Sequence, residues 1–214
     1  MNRVVNFEIA DTRWDWLYKL GGLGALIAGA LFLIPIIEIT ITGFQPGTIN
    51  RWLSLFQNNW LVVIFKLHAG FKEVQPGLLY ILNSLDIALM ALIGMMYFGL
   101  YAALRGTSKV WPMVALIQPF LGIVIFVVTK SAGRSGVMGA GLVISMVMLR
   151  SDIFNKVIAF MGLLSSILLL AGDISVGISH SYIFASLTAI GYMLLTTWLF
   201  LIAHRLFQPG VKIS

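Results

Sequence analysis

The sequence predicts an all-α integral membrane protein: a six-transmembrane-helix bundle with an amphipathic interfacial segment between helices one and two. Three observations carry that prediction. Hydrophobic residues make up 59% of the 214 positions and charged residues 10%, against about 25% charged in an ordinary soluble domain. The mean hydropathy of +0.97 is more apolar surface than a water-soluble core of this size can hide. The apolar residues are also gathered into six stretches, each about long enough to cross a bilayer.

The N-terminal arm, Met1 to Lys19, is mixed in character. Thr12 and Asp15 have capping-box spacing, with Asp where Glu or Gln is usual, so a short helix is expected to start there. Trp14, Trp16 and Tyr18 would then lie at headgroup depth, where amphipathic rings are favoured. The first span runs from about Leu20 to Thr42, roughly 34 Å of helix. Gly21, Ala25 and Gly29 recur every four residues and form a helix-packing stripe, with Gly24 and Ala28 beside it. Such a stripe lets another helix approach closely where lipid supplies no hydrophobic drive for association. Pro35 removes one backbone hydrogen bond late in the span, and a kink is expected there.

Residues 43–76 differ from the rest. Gly43, Pro46 and Gly47 end the first span, and Pro76-Gly77 opens the next. Between them Leu53, Phe56, Trp60, Val63, Ile64, Leu67 and Phe71 recur at helical spacing, interrupted by Gln57, Asn58, Lys66, His68 and Lys72. The run Trp60–Phe65 is too short to span, so an extracytoplasmic amphipathic helix lying in the interface is expected. The second span runs from about Leu78 to Leu104. The third, Val110 to Thr129, carries Pro119 at its middle. The fourth, about Gly136 to Leu149, is rich in glycine and only about 21 Å long. It is either a thin true span or part of a re-entrant hairpin with the third. The span is preferred, because Lys130 and Arg134 would be costly at membrane depth. The fifth runs from about Val157 to Ile178 and the sixth from about Tyr182 to His204, with a cytoplasmic tail at 208–214.

Six spans place both termini on one side. With that side inside, Arg3, Arg13, Lys19, Arg105, Lys109, Arg150, Lys156, Arg205 and Lys212 are cytoplasmic. Arg51, Lys66, Lys72, Lys130 and Arg134 are outside. The inner set is the larger, which fits a prokaryotic inner membrane with cytoplasmic termini. Trp14, Trp16, Trp111 and Trp198 mark the inner boundary in this reading, and Trp52 and Trp60 the outer. The net charge of +6 is spread over helix ends and forms no nucleic-acid patch. Cysteine is absent, which excludes disulfides, thiolate metal sites and cysteine nucleophiles. The first apolar stretch is too long for a signal-peptide core and is followed by no small-residue cleavage site, so it reads as a retained helix.

Three acids fall inside the spans: Glu38, Asp86 and Asp173. Each lies in the outer half by its distance from a span end, with Asn83 and Ser84 beside Asp86 and His180 just past Asp173. An acid in hydrocarbon costs a few kcal/mol and normally faces the bundle interior or a wet cavity. The functional reading is an outward-facing polar pocket that binds or carries a small molecule, lined by Glu38, Asn83, Asp86, Asp173 and His180. The structural reading is interhelical hydrogen bonding, with Glu38 and Asp173 solvated near span ends. Asp86 and Asp173 are the residue types of an intramembrane aspartyl protease pair. Ala171-Gly172-Asp173, however, lacks the first glycine of the Gly-x-Gly-Asp pattern, and no Tyr precedes Asp86. His68, His180 and His204 share no metal-ligand spacing, so no metal, cofactor or enzymatic activity is predicted.

The segment Met148-Leu-Arg-Ser-Asp-Ile-Phe154-Asn-Lys156, then Ala159 and Gly162, then Trp198 with Ile202-Ala203-His-Arg205-Leu206-Phe207 and Gly210, resembles a group of uncharacterised bacterial multi-pass membrane proteins. They are grouped only by a domain of unknown function. Leu82-Asn-Ser-Leu-Asp86 and Tyr101-Ala-Ala-Leu-Arg105 are similar to the same group. The resemblance covers about the last two-thirds of the chain and implies a helical bundle in a prokaryotic inner membrane. It brings no activity or catalytic residue with it. Within its motif, Arg150 and Lys156 bracket a short turn, with Asp152 placed to cap the fifth helix. The expected function is that of a non-catalytic accessory or structural subunit whose partners are the lipid bilayer and other membrane proteins or further copies of itself. The alternative is the small-molecule carrier with the outer polar pocket.

Overall fold

A computed structural model describes residues 14–42, 76–129, 133–175 and 182–208. Among the described residues there are six helices and no strand: α1 (Asp15–Thr42), α2 (Pro76–Leu104), α3 (Val110–Thr129), α4 (Gly133–Leu149), α5 (Lys156–Ser175) and α6 (Tyr182–Phe207). Of the expected interfacial segment at 43–76, all but Pro76, which opens α2, lies outside the described residues, as does the Thr12 half of the capping box.

Each helix packs on its neighbours in sequence, and α1 packs on α6, so the six close into a ring. α2 also touches α4, which sets α3 over the outside of their seam. Neighbouring helices run antiparallel, as their contacts show. The Trp14 ring lies under the Arg105 guanidinium, 4.1 Å from its centroid. Four residues on, the Tyr18 hydroxyl donates to the Ala102 carbonyl at 3.4 Å. Further along, a Cβ on Gly21 would stand 2.7 Å from the Gly99 Cα, and one on Gly24 would stand 2.5 Å from the Leu92 carbonyl oxygen. As the numbers rise on α1 they fall on α2. Across the other seam a Cβ on Gly29 would meet Phe200 at 3.3 Å and Leu199 at 3.4 Å. The small-residue face of α1, including the fully buried Ala25 and Ala28, therefore seats α2 and α6 of the same chain. Close backbone approach of this kind is what glycine at helix interfaces permits.

One end of the ring, called here the loop end, gathers the starts of α1, α3 and α5, the ends of α2, α4 and α6, and the loops 105–109 and 150–155. The main core sits below it. It joins Met96, Leu100 and Leu104 of α2, Ile144 and Met148 of α4, Ile153 and Phe154 of the second loop, and Trp198, Leu199 and Ile202 of α6.

Several boundaries differ from the sequence expectation. α1 begins at Asp15 and takes in the end of the N-terminal arm, because Leu17 is buried, Tyr18 finds a partner on α2 and Trp14 one in Arg105 just past its end. α4 begins at Gly133 rather than Gly136 and has 17 residues, about 25 Å. α6 continues past His204 to Phe207, held by the buried Leu206 and by Arg205. The cap of α5 is Asn155, not Asp152: the Asn155 Oδ1 accepts from the Val157 N–H at 3.1 Å, while Asp152 is exposed. Ser151 turns the chain first, its Oγ accepting from the Ile153 N–H. That turn leaves Asn155 as the residue before the helix.

The stretches Asp15–Leu33 and Ala189–Phe207 are long and apolar enough to cross a membrane. The other apolar helical stretches among the described residues, Ala88–Leu104, Val110–Gly122, Gly139–Leu149 and Lys156–Ala171, are shorter. The outer surface is apolar as well. Leu23, Leu26 and Ile37 of α1, Ile117, Leu121 and Val124 of α3, Phe160 and Leu164 of α5, and Ile190 and Met193 of α6 are all exposed.

Candidate functional site

A layer of uncharged polar side chains crosses the bundle below the loop end. Tyr97 comes from α2, Gln118 from α3, Ser145 from α4, Ser165 and Ser166 from α5 and Trp198 from α6. Counted along each helix at 1.5 Å per residue, all lie between about 6 and 15 Å from that end. Ser145, Ser165, Ser166, Tyr97 and Trp198 are each at most 3% exposed.

Glycines make the layer possible. A methyl on Gly162 of α5 would collide with the Ser145 hydroxyl and the indole edge of Trp198. The missing side chain is thus where α4 and α6 both press on α5. A Cβ on Gly141 would stand 2.5 Å from the Ser166 Oγ and 3.4 Å from the Tyr97 hydroxyl. One on Gly139 would stand 3.5 Å from the Gln118 amide nitrogen.

The hydroxyls in the described bundle fall into two kinds. Ser165 donates to the Gly162 carbonyl at 3.0 Å, and Thr196 to the Tyr192 carbonyl at 2.8 Å. These are satisfied by the preceding turn of their own helix, a common solution for buried Ser and Thr. The Ser145 Oγ, the Trp198 Nε1 and the Gln118 Oε1 are buried without a hydrogen-bond partner. An unmade bond at such a depth costs about 1–3 kcal/mol. The set is chemically mixed: the indole N–H only donates, the amide oxygen only accepts, and the hydroxyl does both. Hydroxyl, amide and indole groups suit recognition of a neutral hydrogen-bonding group.

The loop end above this layer is pinned by backbone-directed bonds. Lys156 Nζ donates to the Leu149 carbonyl and, at 3.3 Å, to the Ser151 carbonyl, closing the end of α4. Arg205 Nε donates to the Ile153 carbonyl at 3.0 Å, and its Nη1 to Gln208 Oε1 at 2.7 Å. Gln208 in turn lies 3.0 Å from His204 Nε2. The segments around Phe154, Gly162, Trp198 and Arg205, quoted above for their resemblance, thus meet in space.

The sequence placed its candidate site elsewhere. Glu38, Asn83, Asp86 and Asp173 fall on α1, α2 and α5, towards the end away from the loops, and their side chains lie outside the described residues. His180 lies outside them altogether. Among the described residues no three His, Asp or Glu side chains gather as a metal site would require. Gly21, Ala25 and Gly29 lie on the α2 and α6 seams. Trp198 corrects the sequence reading: taken as a marker of the membrane boundary, it is 1% exposed and belongs to the core. Its signal lay in Gly162, a glycine on another helix whose pairing with Trp198 has no local signature.

Comparison with family models, with curated proteins and with solved structures gave no match.

Proposed function

We propose that the protein is a polytopic membrane protein whose six helices all cross the bilayer, and that it serves as a non-catalytic accessory or structural subunit. The observation that carries this reading is the outer surface. α1, α3, α5 and α6 expose large apolar side chains along their length, while small residues draw the same helices tightly together inside. An apolar belt of that extent is covered by lipid or by other membrane helices. α3 and α4 support six crossings. α3 leaves the loop end and α4 returns to it, and their 20 and 17 residues amount to about 30 and 25 Å, close to the hydrocarbon thickness. The charges fit cytoplasmic termini, with Lys19, Arg105, Lys109, Arg150, Lys156 and Arg205 all at the loop end.

Native mass spectrometry after gentle extraction from the membrane tests the subunit reading. Reproducible partner chains above the 23.6 kDa of the protein itself are the expected result. A bare monomer across mild detergents would contradict it.

A second reading is favoured by the unpartnered Ser145, Trp198 and Gln118 atoms. It is binding of a small neutral molecule inside the bundle. Here the polar layer takes the role that the sequence assigned to Glu38, Asp86 and Asp173. A reproducible small adduct on the lone chain would decide for it.

A further inference from the structure

The last turn of α6 holds a chain of side-chain hydrogen bonds whose direction is fixed from one end. Arg205 Nε donates to the Ile153 carbonyl, and its Nη1 lies 2.7 Å from one terminal atom of the Gln208 amide. A guanidinium has donors only, so that atom is the amide oxygen. The amide nitrogen then points the other way, 3.0 Å from His204 Nε2. This nitrogen also only donates, so His204 Nε2 is the acceptor. His204 is therefore in its neutral form, with the proton on Nδ1. Its tautomer is dictated by an arginine two links away.

The chain is complete in one protonation state alone. A second proton on His204 turns Nε2 into a donor and sets it against the Gln208 amide nitrogen. Gln208 then loses His204, or turns over, gives its oxygen to His204 and releases Arg205 Nη1. Two adjacent cations, Arg205 and protonated His204, are left sharing one neutral amide. At the far end of the chain is the α4–α5 loop, whose Ile153 and Phe154 are part of the main core. α1 and α5 are the helices packed on α6. The charged groups described at this end are Asp15 and Lys19 of α1, Lys156 of α5, Arg150 and Asp152 of the loop, and Arg105 past α2. Lys156 is turned to the Leu149 and Ser151 carbonyls and Arg105 to Trp14. Among the described residues, the hydrogen bond of His204 is to Gln208.

We propose that this turn is a proton-responsive latch. Neutral His204 orients Gln208, Gln208 steadies the Arg205 guanidinium, and Arg205 holds the α4–α5 loop, so protonation of His204 loosens the loop. Histidine is the side chain that ordinarily changes charge between about pH 5 and 8, so the hold is complete above that range and weakened below it. The two outer bonds are exposed, which admits the proton and keeps the response small. In the topology proposed above the proton comes from the cytoplasm; that side rests on the membrane reading, whereas the latch does not.

Nuclear magnetic resonance of the full chain in micelles, with its histidine rings labelled with nitrogen-15, tests the first link. The His204→Gln variant identifies the His204 signals among those of His68 and His180. The Nδ1–H tautomer is expected at about pH 8, and the Nε2–H tautomer there overturns the proposal. Hydrogen exchange of residues 150–155 at about pH 8 and about pH 5.5, corrected for the intrinsic effect of pH, tests the rest. Wild type is expected to open about threefold more at the lower pH. His204→Gln presents an amide oxygen to Gln208 at either pH and will not respond. Gln208→Glu presents a carboxylate that accepts from both Arg205 and protonated His204, so acidification will protect its loop. Both substitutions are at exposed positions. A His204→Gln response equal to that of wild type overturns the latch, as does a Gln208→Glu loop that opens on acidification as wild type does.

Discussion

Arg205 and Ile153 are joined across 52 positions of the chain: the guanidinium Nε, near the end of α6, donates to the Ile153 carbonyl at 3.0 Å. The bond ties the loop between α4 and α5 to the last turn of α6, over the buried side chains of Ile153 and Phe154. Arg205→Ala is expected to lower the stability of the solubilised protein by roughly 1–2 kcal/mol, in the range of a hydrogen bond from a charged donor. Arg205→Lys will not restore it, because a single ammonium cannot reach Ile153 and Gln208 with the fork geometry of arginine. Thermal unfolding of the three proteins side by side measures both effects. Equal stability of wild type and the alanine variant would mean that the Arg205–Ile153 bond adds nothing to what holds the loop.

Gly162 gives the sharpest core prediction. Gly162→Ala pushes a methyl into the Ser145 hydroxyl and the Trp198 indole, and overpacking of this kind destabilises by about 1–3 kcal/mol. Ser145→Ala alone will be close to neutral or slightly stabilising, since it removes a buried hydroxyl that has no partner. The double variant will be more stable than the sum of the two effects, because the residues share one space. Strict additivity in unfolding measurements would show that they do not press on each other.

The helix cap offers a paired test. Asn155→Ala removes the oxygen that accepts the Val157 N–H and is expected to cost about 0.5–2 kcal/mol. Asp152→Ala, at an exposed position, will stay within about 0.5 kcal/mol of wild type. The reverse order in thermal unfolding would reassign the cap to Asp152.

Glycines on α1 are predicted to be needed for the fold of the single chain. Gly24→Val drives a branched side chain against the Leu92 carbonyl and Met95 and will reduce recovery of folded monomer in size-exclusion chromatography. Gly106→Ala is the matching control, because nothing lies within 4 Å of a Cβ at Gly106. Equal recovery of the two variants would contradict the close α1–α2 seam.

Much of the fold was legible in the sequence because apolar runs and their interruptions are local signals. Val110 to Thr129 was read from composition alone and is the extent of α3, bounded by Ser108-Lys109 on one side and Lys130 on the other. A short helix was expected from Asp15 and a separate span from Leu20, and the structure joins them in one helix, since the contacts that hold Trp14 and Tyr18 come from Arg105, just past the end of α2, and from Ala102 on it. Trp198 was misplaced for the same reason. An indole suits the membrane interface and a crowded core equally, and only the facing Gly162 decides between them. Asp152 and Asn155 both suit a helix cap by type, and the choice follows from the Ser151 turn. The polar layer escaped notice because serines and a glutamine scattered over three helices carry no periodicity. Glu38, Asp86 and Asp173 stood out by charge alone, which marks a residue as costly without saying what it meets.

The number of membrane crossings is the central claim, and the absence of cysteine makes it directly measurable. Single cysteines at Gly106, Asp152 and Gln208, and at Thr42 and Ser175 at the far ends of α1 and α5, would be probed in sealed cells with a membrane-impermeant maleimide. The account predicts labelling of Thr42→Cys and Ser175→Cys in intact cells, and of Gly106→Cys, Asp152→Cys and Gln208→Cys only after the membrane is opened. Labelling of Gly106→Cys and Asp152→Cys from opposite sides would break the six-crossing arrangement.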